Sequence, residues 1–370
     1  MNRLVALALA GPSLAGELRR VWDEGDAALP VDLRLPPPAR RRMLEALAPS
    51  ELVDHAGTHP LAPLGIEPQP VLAGDALVLA TSGTTGTPKG VVLTHDAVAA
   101  SARATSSHLG IDPDRHHWLA CLPLAHVGGL SVVCRAWWAG TKLTVQDGFD
   151  PAAALASGAT HVSLVPTALA RLGSAAARFE RIVLGGSAPP TDLPPNVTCT
   201  YGLTETGSGI VYDGWPLPDV QLRAVDGELQ IRGPMLLRAY RDGTDPRTQD
   251  GWLPTGDGGT VDPVTGFVQV FGRRGDLIIT GGQNVWPDPV ERILANAPGV
   301  TEVAVVGRAD TEWGQRVVAV VVASESGPPD LAQLRDLVKA ELPAYCAPHS
   351  LELVSSLPRT ALGKVRRAAL

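Results

Sequence analysis

The stretch from Thr81 to Gly90, TSGTTGTPKG, has the residue types that bind phosphate groups. Its glycines let a backbone approach a polyphosphate closely and turn N–H groups toward it. Hydroxyl groups and one of the chain's four lysines add donors, and the resulting set is Thr81, Ser82, Gly83, Thr84, Thr85, Gly86 and Lys89. A Walker A loop places its lysine after a glycine, whereas here the order is Pro-Lys-Gly. A polar surface loop is the alternative, but the density of these residue types favours a phosphate loop of another kind.

The elements beside this loop are those expected of an α/β domain. The loop follows an apolar strand, Ala76–Ala80, and precedes a helical stretch, Thr94–Leu109. Further along, β-rich runs alternate with helical stretches rich in Ala and Leu, and these runs are Lys142–Val145, His161–Leu164 and Arg181–Leu184. Such alternation predicts helices layered on parallel strands.

The pattern changes after about Pro218, where strands are separated by turn signals. Asp226-Gly227 is a typical hairpin turn, so this stretch predicts a small antiparallel sheet or barrel. After Gly272 the segments TEVAVVGRAD and QRVVAVVVAS predict two strands, and Asp330 is a candidate N-cap for a helix. The last part of the chain therefore predicts a smaller α+β unit.

Composition argues against several functional classes. The chain has 370 residues, of which 45% are hydrophobic and 19% charged, which suits two unequal globular domains. Its net charge of −7, with no run of Lys or Arg, makes a nucleic-acid surface improbable. The four cysteines are far apart and form no CxxC pair, so we expect reduced core residues at Cys121, Cys134, Cys199 and Cys346.

The first residues, MNRLVALALAGPS, have two interpretations. The apolar run is at the short limit of a signal peptide. A buried first strand followed by a turn at Gly11-Pro12 explains it equally well. No run approaches the roughly 18 apolar residues of a membrane span, so the sequence predicts a cytoplasmic protein.

TSGTTGTPKG, together with YGLTE, TGD and GKVRR in this order, resembles the adenylate-forming superfamily. That superfamily includes acyl-CoA synthetases, firefly luciferase and peptide-synthetase adenylation domains. The resemblance implies an α/β fold whose large N-terminal domain has layered α/β subdomains and a small antiparallel β-barrel-like subdomain. A small, mobile α+β C-terminal domain follows. The implied boundaries are 1–271 for the N-terminal domain, 218–271 for its β subdomain, 272–276 for the hinge and 277–370 for the C-terminal domain.

The resemblance also implies ATP, Mg²⁺ and coenzyme A as cofactor and co-substrates. Thr204 would hydrogen-bond a phosphate or acyl oxygen, and Glu205 with Thr84 would bind Mg²⁺, for which carboxylate oxygen is a suitable ligand. The residues beside the adenine would be Gly186, Ser187, Tyr201 and Gly202. Taken alone, YGLTE would be read as an exposed tyrosine–glutamate pair.

Asp257 of the TGD segment resembles the residue that holds both ribose hydroxyls, because a carboxylate offers two acceptor oxygens. Arg273 would also reach the ribose and mark the hinge. By itself TGD is a common turn. The family's hinge residue is usually Asp or Lys two positions after Gly-Arg, which here leaves Gly275 and Asp276 as alternatives.

Lys364 resembles the lysine that bridges the attacking carboxylate and the α-phosphate as negative charge develops. Without the resemblance, this region would be interpreted as a basic tail. Gly281 and Gly282 resemble the loop that lines the pantetheine channel. The implied catalytic residues are Lys89, His126, Thr204, Glu205 and Lys364.

CLPLAHVGGLSVVCRAWWAGTKLTV and THVSLVPTAL resemble the o-succinylbenzoate–CoA ligase branch, the menaquinone-pathway member of the superfamily. His126 would close the acyl pocket, while Arg135, Ser163 and Ser208 would hold the substrate's aromatic carboxylate. The alternatives are a hydrogen-bonded core histidine at 126 and a surface salt bridge at 135. The phosphate loop begins earlier than in typical members, which implies a shortened N-terminal subdomain.

Two other functions compete with this one. The chain could be a CoA ligase for another aryl or acyl acid, or a non-catalytic ATP-binding module that serves interactions. The joint presence of the motif residues argues against the second alternative, and these residues are Lys89, Glu205, Asp257, Arg273 and Lys364. The expected partners are small molecules, namely a carboxylic acid, ATP and coenzyme A, with a homodimer as a further possibility.

Overall fold

The computed structural model describes residues 2–82, 88–187, 189–190, 192–359 and 365–370, with the backbone alone at Ser82. Five of the predicted site residues lie outside the described residues, and these are Gly83, Thr84, Thr85, Gly86 and Lys364.

The chain divides into a larger and a smaller compact unit. Unit 1 comprises Met1–Pro189, Leu193–Leu222 and Ile231–Pro254, and unit 2 comprises Pro190–Asp192, Arg223–Gln230 and Thr255–Leu370. This arrangement of mixed α/β layers with a large N-terminal and a small C-terminal part confirms the predicted fold class. The domain boundaries and the hinge at 272–276 stay predictions.

Helices cover the sheets, and several of them begin at proline. Proline fits the first turn of a helix because the backbone N–H groups there have no partner within the helix, so nothing is lost when a residue lacks one. Thr94, Asp150 and Asp330 each cap a helix through the side chain, Thr94 accepting from the Ala97 N–H and Asp330 from the Gln333 N–H. None of the helices in the described part of the chain has the length and apolarity needed to cross a bilayer. Their bounds are Gly11–Asp23 (α1), Pro37–Leu47 (α2), His95–His108 (α3), Val127–Ala139 (α4), Pro151–Ala156 (α5), Pro166–Leu172 (α6), Pro287–Leu294 (α7) and Leu331–Glu341 (α8).

The first sheet lies in unit 1 and has the order β16-β6-β5-β2-β1-β3-β4. Its central pairs are parallel, whereas β5 and β6 pair antiparallel on either side of residues 83–87. The strands are Leu4–Leu7 (β1), Ala27–Pro30 (β2), Glu51–Asp54 (β3), Gly57–Pro60 (β4), Asp75–Ser82 (β5), Pro88–Thr94 (β6) and Ala239–Tyr240 (β16).

The apolar start of the chain is a buried strand, β1, and every residue of it is buried. The turn predicted at Gly11-Pro12 is wrong, because these residues begin α1. Pro12 suits the first turn of a helix, and α1 packs one apolar face inward through Leu14, Leu18 and Val21.

The second sheet, also in unit 1, has the order β13-β12-β11-β10-β9-β7-β8. The predicted strands at Lys142–Val145, His161–Leu164 and Arg181–Leu184 are found at those bounds, in parallel pairs. The strands are His117–Ala120 (β7), Lys142–Val145 (β8), His161–Leu164 (β9), Arg181–Leu184 (β10), Val197–Leu203 (β11), Ser208–Tyr212 (β12) and Trp215–Pro216 (β13).

A third sheet has the order β14-β15-β17-β18, with strands Gln221–Val225 (β14), Glu228–Arg232 (β15), Leu253–Val261 (β17) and Val268–Arg273 (β18). Asp226 and Gly227, both with positive φ, form the turn between β14 and β15. The fourth sheet has the order β20-β19-β22-β21, and its fifth strand pairs with β22. Its strands are Ile278–Thr280 (β19), Gln283–Val285 (β20), Val300–Asp310 (β21), Gly314–Ala323 (β22) and Ser350–Leu353 (β23).

Candidate active site

The two flanks of the predicted phosphate loop are fixed by strand pairing. Thr81 pairs with Lys89 and Ser82 with Pro88 at the ends of β5 and β6. Gly90 next to them is buried, and a side chain there would come within 2.7 Å of Leu47 Cδ2. Glycine at position 90 therefore lets β6 pass close to α2, while Lys89 remains exposed.

Lys89 and Glu205 are brought together through a residue that the motifs did not indicate, Tyr240. The Lys89 Nζ lies 5.0 Å from the centroid of the Tyr240 ring. The Tyr240 hydroxyl donates a hydrogen bond of 3.0 Å to Glu205 Oε1. Tyr240 is placed by β16, which pairs with β6 so that Tyr240 lies opposite Val91. Lys89 and Glu205, both predicted to bind the nucleotide or its metal ion, thus contact the same aromatic side chain, Tyr240.

Glu205 lies in a short 3-10 turn, Thr204–Thr206, between β11 and β12. Thr206 is fully buried and accepts a 3.0 Å hydrogen bond from the Leu203 N–H. A Cβ at Gly202 would lie 2.2 Å from the Ser208 carbonyl oxygen, so the two strands approach too closely for any side chain there. The buried hydrogen bond of Thr206 and the close approach of the two strands therefore fix the backbone of the hairpin at Glu205 and Ser208.

Two of the predicted adenine residues, Gly186 and Ser187, follow the end of β10, and the other two, Tyr201 and Gly202, lie in the last part of β11. β10 pairs with β11, Leu184 lying opposite Cys199, so Gly186 and Ser187 leave the sheet beside the segment that carries Tyr201. Gly186 has a φ of +91°, and Ser187 is exposed. Tyr201 is half-buried at a bulge in the β11–β12 pairing. The carboxyl end of such strands is a common ligand site in α/β proteins.

Arg135 is a buried cation in the middle of α4, with 2% of its surface exposed. Its Nη2 donates to Ser131 Oγ and to Ser208 Oγ, each at 2.9 Å, and its guanidinium lies 5.0 Å from the Trp118 ring centroid. Burial lowers the pKa of the guanidinium, but an arginine remains charged. The Nη1 is buried and has no hydrogen-bond partner among the described residues. A surface salt bridge, the alternative for this residue, is excluded.

A cavity lies beside Arg135 and is lined mostly by aliphatic side chains of β5, β6, α3 and α4. Its polar lining comes from Ser101, Ser131, Arg135 and Ser208. Ser163 is not among the described residues that line it. The Ser163 hydroxyl is also buried without a hydrogen-bond partner in the described part of the chain. The cavity is small, with room for about one water molecule, so the feature here that suits an anionic group is the buried guanidinium of Arg135.

His126 lies at the N-terminal end of α4, and its partner is Asp32. The His126 Nε2 is 2.9 Å from Asp32 Oδ2. Burial alone would raise the pKa of the Asp32 carboxyl, but hydrogen bonds from Arg34 and His126 outweigh burial and hold that pKa well below its usual range. Asp32 is therefore a carboxylate that orients the His126 ring.

Unit 2 brings Asp257 and Arg273 together. The two residues lie opposite each other in the β17–β18 pair, and Arg273 Nε is 3.0 Å from Asp257 Oδ1. Asp257 is buried, its N–H donates to Thr255 Oγ1 at 3.0 Å, and Arg273 Nη1 donates to the Thr255 carbonyl at 2.9 Å.

Gly281 and Gly282, both with positive φ, form the turn between β19 and β20, and a Cβ at 281 would lie 2.6 Å from the Trp313 ring.

The sequence matches the family of AMP-binding enzymes over residues 43–241 and the AMP-binding enzyme C-terminal domain over residues 289–364. The chain belongs to the AMP-binding enzymes. Among its relatives, the probable 2-succinylbenzoate–CoA ligase of Mycobacterium tuberculosis is 40% identical over 322 residues, which span 80% of this chain and 83% of the relative. The 2-succinylbenzoate–CoA ligase of Listeria monocytogenes serotype 4b is 35% identical over 333 residues, spanning 81% and 70%.

A solved structure similar to this AMP-binding enzyme is the o-succinylbenzoate CoA synthetase of Bacillus subtilis in complex with its acyl-adenylate intermediate. It has a TM-score of 0.86 and 28% identity, and the match covers 99% of this chain and 87% of that one. The same synthetase in complex with AMP matches with the same TM-score, 0.86.

Two residues of the AMP-binding enzyme's candidate site, Tyr240 and Asp32, were not predicted. Tyr240 follows Glu205 by 35 positions and Asp32 precedes His126 by 94, so each contact depends on tertiary structure. The one local signal was a carboxylate in VDLRLPPP, just after an apolar run.

Proposed function

We propose that this AMP-binding enzyme is a 2-succinylbenzoate–CoA ligase that forms an acyl-adenylate and releases pyrophosphate. The observation that carries the substrate assignment is Arg135, a buried guanidinium whose Nη1 has no hydrogen-bond partner among the described residues. 2-Succinylbenzoate has two carboxylates, and the one on the ring must stay charged while the succinyl one reacts. The relatives named above carry the same activity in their names.

In the first half-reaction, a carboxylate oxygen of the acid attacks the α-phosphorus of ATP and pyrophosphate leaves. Catalysis of such a transfer consists mainly of positioning and charge neutralisation. Lys89 would bind phosphate oxygens, and Tyr240 would hold the Glu205 carboxylate in place. Lys364 would bridge the two reacting groups, and the ring carboxylate would pair with Arg135, Ser208 and Ser163.

Glu205 is the described residue that fits Mg²⁺. Nucleotide-bound Mg²⁺ takes one or two protein carboxylates and completes its octahedron with phosphate oxygens and water. In the part of the chain that the structure describes, no group of three or more His, Cys, Asp or Glu side chains is arranged to hold a metal ion. The ion would neutralise phosphate charge when bound.

In the second half-reaction, the thiol sulfur of coenzyme A attacks the acyl carbon and AMP leaves. The turn at Gly281 and Gly282 would line the pantetheine arm, since neither residue has a side chain to obstruct it. His126, oriented by Asp32, would close the acyl pocket. A cytoplasmic location and a homodimer stay predictions.

The function is tested by a screen of carboxylic acids with purified protein, ATP and Mg²⁺, in the presence and absence of coenzyme A. Pyrophosphate release is measured for each acid. We expect 2-succinylbenzoate to give the highest kcat/KM, with sustained turnover only when coenzyme A is present. If another aryl or acyl acid gave a higher kcat/KM, that acid would be assigned as the substrate instead of 2-succinylbenzoate. If no acid led to pyrophosphate release, the assignment as a ligase would be refuted.

Asp257→Ala should raise the KM for ATP by about 30-fold, which corresponds to about 2 kcal/mol for a charge-assisted hydrogen-bond pair to the ribose. Because Arg273 is more than half exposed, its charge is not trapped when Asp257 is removed. The measurement is the KM for ATP. Asp226→Asn is the control, since this exposed turn residue has a φ of +50° that asparagine accepts. An unchanged KM with an intact fold would count against the ribose assignment.

A further inference from the structure

Two hydrogen bonds hold Glu205 to the segment that contains β16. The Leu237 N–H donates to the Glu205 carbonyl oxygen at 2.7 Å, and the Tyr240 hydroxyl donates to Glu205 Oε1 at 3.0 Å. The first bond fixes the backbone of Glu205, and the second fixes its carboxylate. Because a hydrogen bond to a carboxylate is charge-assisted, it is stronger than one between neutral groups. The orientation of the carboxylate is therefore set by a second segment of the chain as well as by the hairpin.

The segment that carries Tyr240 is itself anchored on both sides by arginines. Arg238 donates to the two oxygens of Asp75 at 2.8 and 2.9 Å, and Asp75 is only 1% exposed. Arg241 is buried and donates to the Leu47 carbonyl at 3.0 Å. A bidentate arginine–carboxylate pair is restrictive in its geometry. Tyr240 thus stands on a fixed backbone, and its hydroxyl is a fixed donor.

Tyr240 engages one oxygen of the Glu205 carboxylate and leaves the other. In the part of the chain that the structure describes, no group donates a hydrogen bond to Glu205 Oε2. A carboxylate with one oxygen engaged offers a cation the other oxygen alone. Mg²⁺ demands a near-ideal octahedron, which suits a single oxygen, whereas Ca²⁺ accepts both oxygens of a carboxylate in a looser geometry.

We propose that Tyr240 is a specificity-determining residue for the metal ion. By engaging Oε1, it restricts Glu205 to one metal-binding oxygen and so favours Mg²⁺ over Ca²⁺ in complex with ATP. The inference rests on the metal role proposed for Glu205. A tyrosine that only stabilised the fold would affect the binding of both metal–ATP complexes alike, whereas a residue that limits the carboxylate to one oxygen alters their ratio.

The ring of Tyr240 has a contact of its own, so the effect of the hydroxyl can be measured separately. Lys89 Nζ lies 5.0 Å from the centroid of this ring. Phenylalanine keeps the ring and loses the hydroxyl, so Tyr240→Phe retains the contact with the lysine. A change in metal preference in this variant is therefore due to the hydrogen bond to Glu205.

The test measures the Kd of Mg–ATP and of Ca–ATP for the purified protein by isothermal titration calorimetry. Acid and coenzyme A are left out, so that no turnover occurs. In Tyr240→Phe we expect Mg–ATP binding to weaken by about 10-fold, as for the loss of one hydrogen bond to a charged group. Ca–ATP binding should change by less than about 2-fold, because the released carboxylate can offer both oxygens to the larger ion.

The matched control is Tyr212→Phe, the same substitution at a buried tyrosine whose hydroxyl donates to Thr105 Oγ1 at 3.3 Å. It should leave both Kd values unchanged. Glu205→Gln should weaken Mg–ATP binding, because a neutral amide is a poorer ligand for Mg²⁺ than a carboxylate.

Equal weakening of the two complexes in Tyr240→Phe, or no change in either, would overturn the inference. An equal shift in Tyr212→Phe, or unchanged Mg–ATP binding in Glu205→Gln, would do the same. A wild-type protein that binds Mg–ATP but forms no acyl-AMP from any acid would instead refute the proposed function, and the ratio of the two Kd values would still decide the role of Tyr240.

Discussion

Arg135→Met is expected to lower kcat/KM for 2-succinylbenzoate by about 100-fold, the equivalent of about 3 kcal/mol for losing one partner of a buried, hydrogen-bonded charge pair. Arg135 is the buried cation of the cavity, and its Nη1 has no partner among the described residues. Without it, the ring carboxylate would enter an apolar site unpaired. The measurement compares the acid with an analogue that lacks the ring carboxylate.

The analogue distinguishes recognition from structure. The wild type should use it poorly, and Arg135→Met should lose little further activity toward it. Methionine fills a similar volume without a charge, so the variant should unfold at a temperature no lower than the wild type. Equal losses for the two acids would make Arg135 a structural residue, and the substrate assignment would then depend on similarity alone.

Lys364→Ala is expected to lower the rate of adenylate formation by about 100- to 1,000-fold, as for the removal of one donor that stabilises developing negative charge. Thioester formation from presynthesised acyl-AMP should persist, because the α-phosphate is no longer attacked in that step. Both half-reactions are measured with the purified variant.

Lys339→Ala is the control for this substitution. Lys339 is an exposed lysine of α8 whose nearest carboxylate, Asp336, is 3.9 Å away. Its removal should leave both half-reactions at wild-type rates. Should Lys364→Ala reduce the two half-reactions to the same extent, Lys364 would not have the separate role given to it here.

The layered α/β part of the fold could be predicted because its signals are local. The strand at His161–Leu164 and the helix after Asp330 follow from short patterns of apolar residues and a capping side chain. The turn expected at Gly11-Pro12 was wrong, since a proline that ends one element can also begin a helix, and local sequence does not distinguish the two.

The site could be predicted only in part, because its contacts join distant segments. The burial of Arg135 depends on the packing of α4, and SVVCRAWWAG alone suits a surface arginine equally well. The Tyr240–Glu205 hydrogen bond depends on β16 pairing with β6. Strand order of this kind is a property of the whole sheet, and no motif encodes it.

The two-residue strand β16 also limits how the chain can change in length. Side chains alternate between the faces of a strand, and Ala239 is buried while its neighbour Tyr240 reaches Glu205. Inserting or deleting one residue between Gly233 and Arg238 would shift this register and turn the tyrosine to the opposite face. We therefore expect insertions to be tolerated in the exposed turn around Gly243, beyond the strand, and rejected in the segment that leads into it.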